Sequence, residues 1–318
     1  MQQVSFYNTE AVLTSIANGD DAGVVRISDE LALIQTVDVF TPVVDDPMDY
    51  GRIAAANSFS DCYAMGGKPV TALSVLVVAL KGLPEGIAAG ILQGANEVCQ
   101  EAGAPLIGGH TLKLPETAFG LAVTGIVHPD KLITSDRAEP GDALILTKPI
   151  GTGIITTAAM RDTCPPEVLA QAVAVMKVLN RGASEAAAKL SRVAATDVTG
   201  FGLLGHLHTV LTSSNVSARI NLDAVPFIEG ALELAENNAP GGTVENYGFA
   251  KGFSNIDDLD IPHKFMLCDA QTSGGLLITC PPHEVDSFLA ELNANGTPAQ
   301  AVIGEIVEQR EPLVEIVG

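Results

Sequence analysis

Residues 51–67, GRIAAANSFSDCYAMGG, read as a helix whose left-handed stop comes from Gly66 and Gly67. Small and apolar residues dominate it, where a solvated helix face would carry lysine and glutamate. Its only acid is Asp61. Asn57 lies four residues earlier, so an amide and a carboxylate share one face of the helix. Together the two groups can bind a metal and a phosphate oxygen.

The flanking pattern predicts a mixed α/β domain. Residues 24–27 and 32–37 alternate around SDE as a hairpin, Pro69 opens an apolar β run (VTALSVLVVAL), and Pro84 starts a second helix ending near Gly103. FGLAVTGIV is a further strand. The turn-forming RAEPGD at 137–142 places the boundary, giving a first domain over 1–138 and a second over 139–318. In the second, ALILTK reads as a strand, GTGIITTAAM opens a helix, and further helices are expected within 166–187 and over 227–236. ARINL is a short segment, and a Gly/Pro/Asn-rich loop is expected over 237–247. GGLLITC, a helix over 283–293 and AVIGEIV make a strand–helix–strand ending. This order is that of an α+β domain rather than a regular doubly wound sheet.

With 17 Lys and Arg against 38 Asp and Glu, the formal net charge of −21 leaves no ready basic face for nucleic acid. A phosphate-bearing ligand would then need a cation, and Mg²⁺ characteristically sits between one or two carboxylates and substrate phosphates. A hydrophobic content of 47 % in 318 residues is ample for packed cores. The longest apolar stretches, 70–80 and 118–127, are shorter than the roughly 18 residues of a membrane span. MQQVSFYNTE lacks the basic and apolar regions of a signal peptide. The expectation is a soluble cytoplasmic protein without a membrane partner. Cys62, Cys99, Cys164, Cys268 and Cys280 are odd in number and form no CxxC pair, which suits reduced thiols better than disulfides or structural zinc.

Four segments set aspartate beside glycine or small polar residues: NGDDAG (Asp20, Asp21), TVDVFTP (Asp38), NSFSDCYAMGG (Asp61) and ATDVTGFG (Asp197). Singly, each reads first as a turn or a cap. Four in one chain point to a shared task. Asp38 interrupts an apolar strand, where a carboxylate without a partner is costly. Asp197 precedes Gly200 and Gly202 in a loop whose N–H groups can approach an anion. His110 follows a glycine pair at the end of an apolar strand; it is either satisfied by a loop carbonyl or set where a ligand nears the backbone. Lys148, in LTKPIGTG, marks either an anion-binding helix start or an ordinary strand-to-helix turn. His206 and His208 fall in the helix after TDVTGFG and read as packing or surface residues.

Together DDAGV (20–24), TVDVFTPVVDDPMDYGRIAAAN (36–57), SDCYAMGGKPVTAL (60–73), IGGHT (107–111), FGLAVTGIV (119–127), TDVTGFGLLGHL (196–207) and DAQTSGGLL (269–277) resemble the selenophosphate synthetase, or selenide, water dikinase, family. Aminoimidazole ribonucleotide synthetase tends to carry GGET and thiamine-monophosphate kinase GGDT where this chain has GGHT. One departure is Ala270, where proline is common. The resemblance implies a two-domain aminoimidazole ribonucleotide synthetase-like fold, with a mixed-sheet N-terminal ATP-binding domain and an α+β C-terminal domain. It implies that ATP and selenide give selenophosphate, AMP and orthophosphate, and that the protein is a homodimer joined through a β-barrel core. Asp21, Asp61 and Asp197 match Mg²⁺-binding positions, while Asn18, Gly19, Asp20, Asp38, Asp61, Gly109, His110 and Thr111 match nucleotide-contacting ones.

Members of that family carry, ahead of the DDAGV match, a mobile glycine-rich segment with a reactive cysteine or selenocysteine followed closely by lysine. Between Met1 and Asn18 there is no Gly, Cys or Lys, so no catalytic residue is assigned, and Cys62 and Cys268 belong to other motifs. The expectation is that the segment is missing, as when a UGA selenocysteine codon is read as a stop. The chain as given would then fold and bind Mg-nucleotide weakly, but make selenophosphate below a normal rate. The alternatives are a non-catalytic nucleotide- or metal-binding paralogue, and a superfamily kinase or synthetase acting on another substrate.

Overall fold

The computed structural model describes residues 7–14 and 19–318. The first half contains β1 (Val12–Thr14), β2 (Gly23–Ser28), β3 (Leu31–Phe40), α1 (Pro47–Ala64), β4 (Lys68–Ala79), α2 (Ile87–Ala102), β5 (Leu106–Leu114) and β6 (Ala118–Val127). Its strands form one sheet in the order β1-β2-β3-β6-β4-β5. Only the β4–β5 pair is parallel.

Helix α1 begins at Pro47 rather than Gly51, because Asp46 accepts the Asp49 N–H as an N-cap and Pro47 suits the first turn. Every residue from Ile53 to Ala64 is buried. Ala55, Phe59 and Cys62 join a core with Ile34, Ala72 and Leu121 of the first sheet. Ile53 and Ala64 belong to the cores of the second half. A stretch walled on every side has no place for long charged residues, which accounts for the composition of residues 53–64, while Arg52 in the more open first turns pairs with Glu97. Helix α2 crosses so close that a Cβ on Gly94 would stand 2.0 Å from the Met48 carbonyl oxygen. Gly94→Ala is therefore expected to cost about 1–3 kcal/mol, read as a lower urea midpoint.

The helices cover one face of this sheet. On the other, Val37 and Val39 of β3 and Leu73 of β4 are 60, 40 and 44 % exposed. The register pairs Val37 with Ala122 and Ala122 with Leu73, so this is a contiguous apolar face.

The second half contains β7 (Ala143–Leu146), α3 (Thr152–Met160), α4 (Pro166–Lys177), α5 (Arg181–Ala187), β8 (Ala195–Asp197), α6 (Gly202–Ser214), β9 (Ser217–Asn221), α7 (Ala231–Asn238), α8 (Gly241–Ala250), α9 (Ile261–Cys268), β10 (Leu276–Cys280), α10 (Val285–Ala294), β11 (Ala301–Val307) and β12 (Val314–Val317). Its sheet runs β12-β9-β11-β7-β10-β8, antiparallel except at β12–β9. α5 and α10 pack Ala183, Ala186, Phe288 and Leu292 against Ile145 and Ile278. The larger core is built with α3, α4, α6, α7 and α9. No helix among the described residues is long and apolar enough to cross a membrane.

Two sequence expectations are corrected here. The loop expected over 237–247 is interrupted by α8, whose opening glycines hide it. Tertiary bonds hold it instead: Thr243 Oγ1 donates to Asp269 Oδ1 at 3.0 Å, and Asn246 Nδ2 to the Gly200 and Cys268 carbonyls. Likewise, β5 does not end at His110 but continues to Leu114.

Candidate active site

Alternation along β3 turns Thr36 and Asp38 toward α1, and the four-residue spacing in α1 returns Asp61 and Asn57 to meet them. The Thr36 hydroxyl donates to Asp61 Oδ2, and Asn57 Nδ2 donates to Asp38 Oδ2 at 2.8 Å. Asn57 Oδ1 accepts the Ser273 N–H at 2.8 Å, so one amide bridges the two halves. Asp197 ends β8, the edge strand beside β10. Asp21 sits in the bend before β2, where Thr196 Oγ1 donates to its Oδ1 at 2.8 Å.

The structure thus gathers acids that lie far apart in sequence. Burial, then the Asp197 charge, pushes the Asp21 and Asp61 carboxyls well above the ordinary carboxylate range. Asp197 is pushed up to about 6, mainly by burial and then by Asp38, with the Ser60 hydroxyl and Lys148 opposing. Burial also raises Asp38. Among the described residues, Asp197 Oδ2 is buried and has no hydrogen-bond partner. Clustered hard oxygen donors with an unsatisfied buried oxygen fit a divalent cation, which would relieve both the repulsion and the orphaned acceptor.

The other expected positions lie as follows. Asp20 Oδ1 accepts from the Ser135 N–H at 3.0 Å and its hydroxyl at 2.8 Å, and Gly19 turns with φ 74°. Asn18 lies outside the described residues. Gly109, His110 and Thr111 are exposed on the edge strand β5. The glycine at 109 is demanded by strand packing, since a Cβ there would meet Ser74 Oγ at 2.1 Å. A cleft of about 320 Å³ opens beside the acids, lined by Asp38, Phe40, Asn57, Thr199, Gly200 and Gln271.

The Lys148 alternatives also resolve. Its ammonium is buried and donates to the Val178 and Ser273 carbonyls at 2.6 and 2.8 Å, and burial lowers it to about 7. The start of α3 is taken up by the chain itself: Gln271 Oε1 accepts the Gly151 and Thr152 N–H groups, and Asp269 Oδ2 those of Gly153 and Ile154. This helix terminus serves a structural carboxylate rather than a phosphate.

Comparison with known proteins supplies the family. The AIR synthase related protein family matches over residues 19–127 with its N-terminal domain and over 139–316 with its C-terminal domain. A selenide, water dikinase of Caldanaerobacter subterraneus subsp. tengcongensis is 44 % identical over 303 residues, covering 95 % of this chain and 88 % of that protein. The chain belongs to the selenide, water dikinase family. Solved structures extend the likeness in fold. Thiamine-monophosphate kinase from Stenotrophomonas maltophilia K279a superposes with a TM-score of 0.71 at 19 % identity, over 97 % of this chain and 92 % of that one. Hydrogenase maturation protein HypE in complex with ATP gives 0.66 at 19 % identity, over 95 and 85 %. The two-domain aminoimidazole ribonucleotide synthetase-like fold expected from the motifs is the fold observed.

Within this member of the selenide, water dikinase family, His206 is buried, as its reading as a packing residue has it, and it also lies beside two of the acids. It is 9 % exposed, and ligand-capable atoms of Asp21, Asp197 and His206 all lie within 4.8 Å of one another. His208 does pack, with its ring 4.6 Å from Phe253. A threonine-rich loop seven residues before a helical histidine was the available signal, since Thr199 reaches back to the ring.

Proposed function

We propose that this chain transfers one phosphoryl group of ATP to selenide and, with water as co-substrate, gives selenophosphate, AMP and orthophosphate, with Asp21, Asp61 and Asp197 as the acids of the site. The buried Asp197 oxygen without a partner carries the reading, because it sits among acids in a chain similar along nearly its whole length to a selenide, water dikinase. A protein of the same fold has been solved with ATP, which supports the nucleotide. In this reading Asp21, Asp61 and Asp197 hold Mg²⁺, and the nucleotide meets Gly19, Asp20, Asp38, Asp61, Gly109, His110 and Thr111. Mg²⁺ bound there would supply the positive charge that a transferring phosphoryl group needs and that an acidic chain lacks.

The chain's own groups hold that arrangement in place. Thr36 and Thr196 each donate to one carboxylate, fixing its orientation. Asn57 spends both ends of its amide on Asp38 and Ser273, so the two cleft walls are tied together. No cysteine is drawn toward thiolate: burial raises Cys62, Cys268 and Cys280 to about 12, Cys99 to about 11, and Cys164 as well. The reactive thiol is therefore assigned to none of them. The deciding assay is selenide-dependent AMP formation by the purified chain with Mg²⁺ and ATP. Mg²⁺-dependent nucleotide binding without AMP would favour a non-catalytic paralogue, and AMP formation with another acceptor would reassign the substrate.

The same reading makes the protein a cytoplasmic homodimer, with the apolar face of the first sheet as the contact. Val37, Val39 and Leu73 supply exposed apolar side chains for that contact. Val37→Lys combined with Leu73→Lys is expected to convert a dimer to a monomer in sedimentation equilibrium. An unmodified chain that sediments as a monomer overturns the assignment.

A further inference from the structure

We propose that His206 is a positioning residue for the cation site: acting through Thr196 it turns the Asp21 carboxylate, and acting through Thr199 it fixes the loop that follows Asp197. This rests on the reading of the acids as a cation site.

The direction of every hydrogen bond follows from one fixed donor. The Thr199 backbone N–H points at His206 Nε2 from 3.2 Å, and a backbone N–H only donates, so Nε2 is unprotonated. The Thr199 hydroxyl lies 3.3 Å from the same nitrogen and can only donate to it as well. A ring with an unprotonated Nε2 cannot be an imidazolium, which carries a proton on both nitrogens, so the ring is neutral. In a neutral ring the one proton then sits on Nδ1, which faces Thr196 Oγ1 at 3.3 Å. That hydroxyl accepts from the ring and has a single proton to give. Asp21 Oδ1 at 2.8 Å is nearer than its other acceptor, the Asp197 carbonyl at 3.1 Å. The protons therefore run one way, from Thr199 to His206 to Thr196 to Asp21.

This order decides between two roles. A metal-ligating histidine must present a nitrogen lone pair. Here the Nε2 lone pair is taken by Thr199 and Nδ1 carries the proton, so His206 stands near the acids without being able to join them as a ligand. What it can do is remove rotational freedom from the Thr196 hydroxyl. A free hydroxyl would swing between the Asp21 carboxylate and the Asp197 carbonyl. With Nδ1–H occupying one lone pair, the hydroxyl proton stays on Asp21 Oδ1 and leaves Oδ2 of that carboxylate for the cation. Partners of this kind, acting through a ligand, typically change metal affinity by about 10- to 100-fold.

The test uses Mn²⁺ as the probe, with free Mn²⁺ counted by electron paramagnetic resonance at a saturating non-hydrolysable ATP analogue. Thr196→Val and His206→Ala are each expected to weaken Mn²⁺ binding about tenfold, and the double variant to lose no more than either alone, because both remove the same relay. His206→Asn is expected to recover most of the loss, since its amide N–H takes the place of Nδ1–H. Losses that multiply in the double variant, or an unchanged affinity in His206→Ala, overturn the proposal. Asp197→Asn separates the two readings: if it binds Mn²⁺ as the parent chain does, the cation assignment fails on its own account. The relay is then still decided by the tautomer in ¹⁵N NMR of the imidazole. An Nδ1–H ring supports it, and an Nε2–H ring overturns it. A purely structural histidine would lower the melting temperature of His206→Ala without moving Mn²⁺ affinity in the folded protein.

Discussion

Asp61→Asn is expected to weaken Mg²⁺-dependent nucleotide binding on the order of a hundredfold while leaving the metal-free fold at least as stable as the parent. The substitution is isosteric, and its amide oxygen can still accept from Thr36, so the hydrogen bond inside the fold survives. What disappears is one negative charge from a buried group that Asp197, Asp38 and Asp21 already repel. Removing it lowers the free energy of the empty site and withdraws a ligand from the filled one. Calorimetric titration with Mg²⁺ and a non-hydrolysable ATP analogue measures the second effect, and thermal melts in a chelator measure the first. Unchanged nucleotide affinity would sink the assignment of Asp61.

Without divalent cation, the acid cluster should make the fold less stable as pH rises from about 4 to about 6. In the unfolded chain the Asp197 carboxyl titrates near its ordinary 3.8, whereas in the fold it is pushed up to about 6. Below the lower value both states are protonated and the full stability is present. Between the two the folded state binds more protons than the unfolded one, so stability falls with rising pH, and above about 6 the loss is complete. For Asp197, buried at 1 % exposure, the interval corresponds to about 3 kcal/mol. Asp21 and Asp61 act in the same direction. The measurement is urea unfolding of the parent chain minus that of Asp197→Asn from about pH 3 to about pH 7.5, a span that brackets both values. The difference should open across this window in chelator and close with saturating Mg²⁺. Parallel pH profiles for the two proteins would contradict it.

The clearest sequence signals were those written as local misfits. Asp38 in an apolar strand had to have a partner, and Asn57 is that partner. The small, apolar composition of residues 53–64 and their single Asn57–Asp61 face correspond to a stretch of α1 buried on all sides that keeps one polar strip for the acids. The rest depended on contacts that local pattern does not encode. Strands β1 and β8 are three residues long, too short for alternation to register. Helix α8 opens on two glycines and is held by Asp269 and by carbonyls at Gly200 and Cys268. The cap on α3 comes from Asp269 and Gln271, more than a hundred residues away, so LTKPIGTG by itself could not distinguish a phosphate site from a self-satisfied helix start. His206 looked like a core residue because it is one. Its role lies in the direction of its hydrogen bonds, which only the placement of Thr196 and Thr199 reveals.

The position of α1 also limits how such a chain can diversify. The helix is a wall of both halves: Asn180 Nδ2 donates to Ser60 Oγ and to the Gly274 carbonyl, and Ser184 Oγ donates to the Tyr63 carbonyl. A chimaera that joined residues 1–138 of one relative to the C-terminal portion of another would mismatch this seam, even where each portion kept its own sheet intact. The two halves are therefore structurally interdependent along α1. Room for changing what the site accepts lies in cleft-lining side chains such as Thr41, Val43 and Ala270, because Thr199 and Gln271 beside them are tied to His206 and to the start of α3.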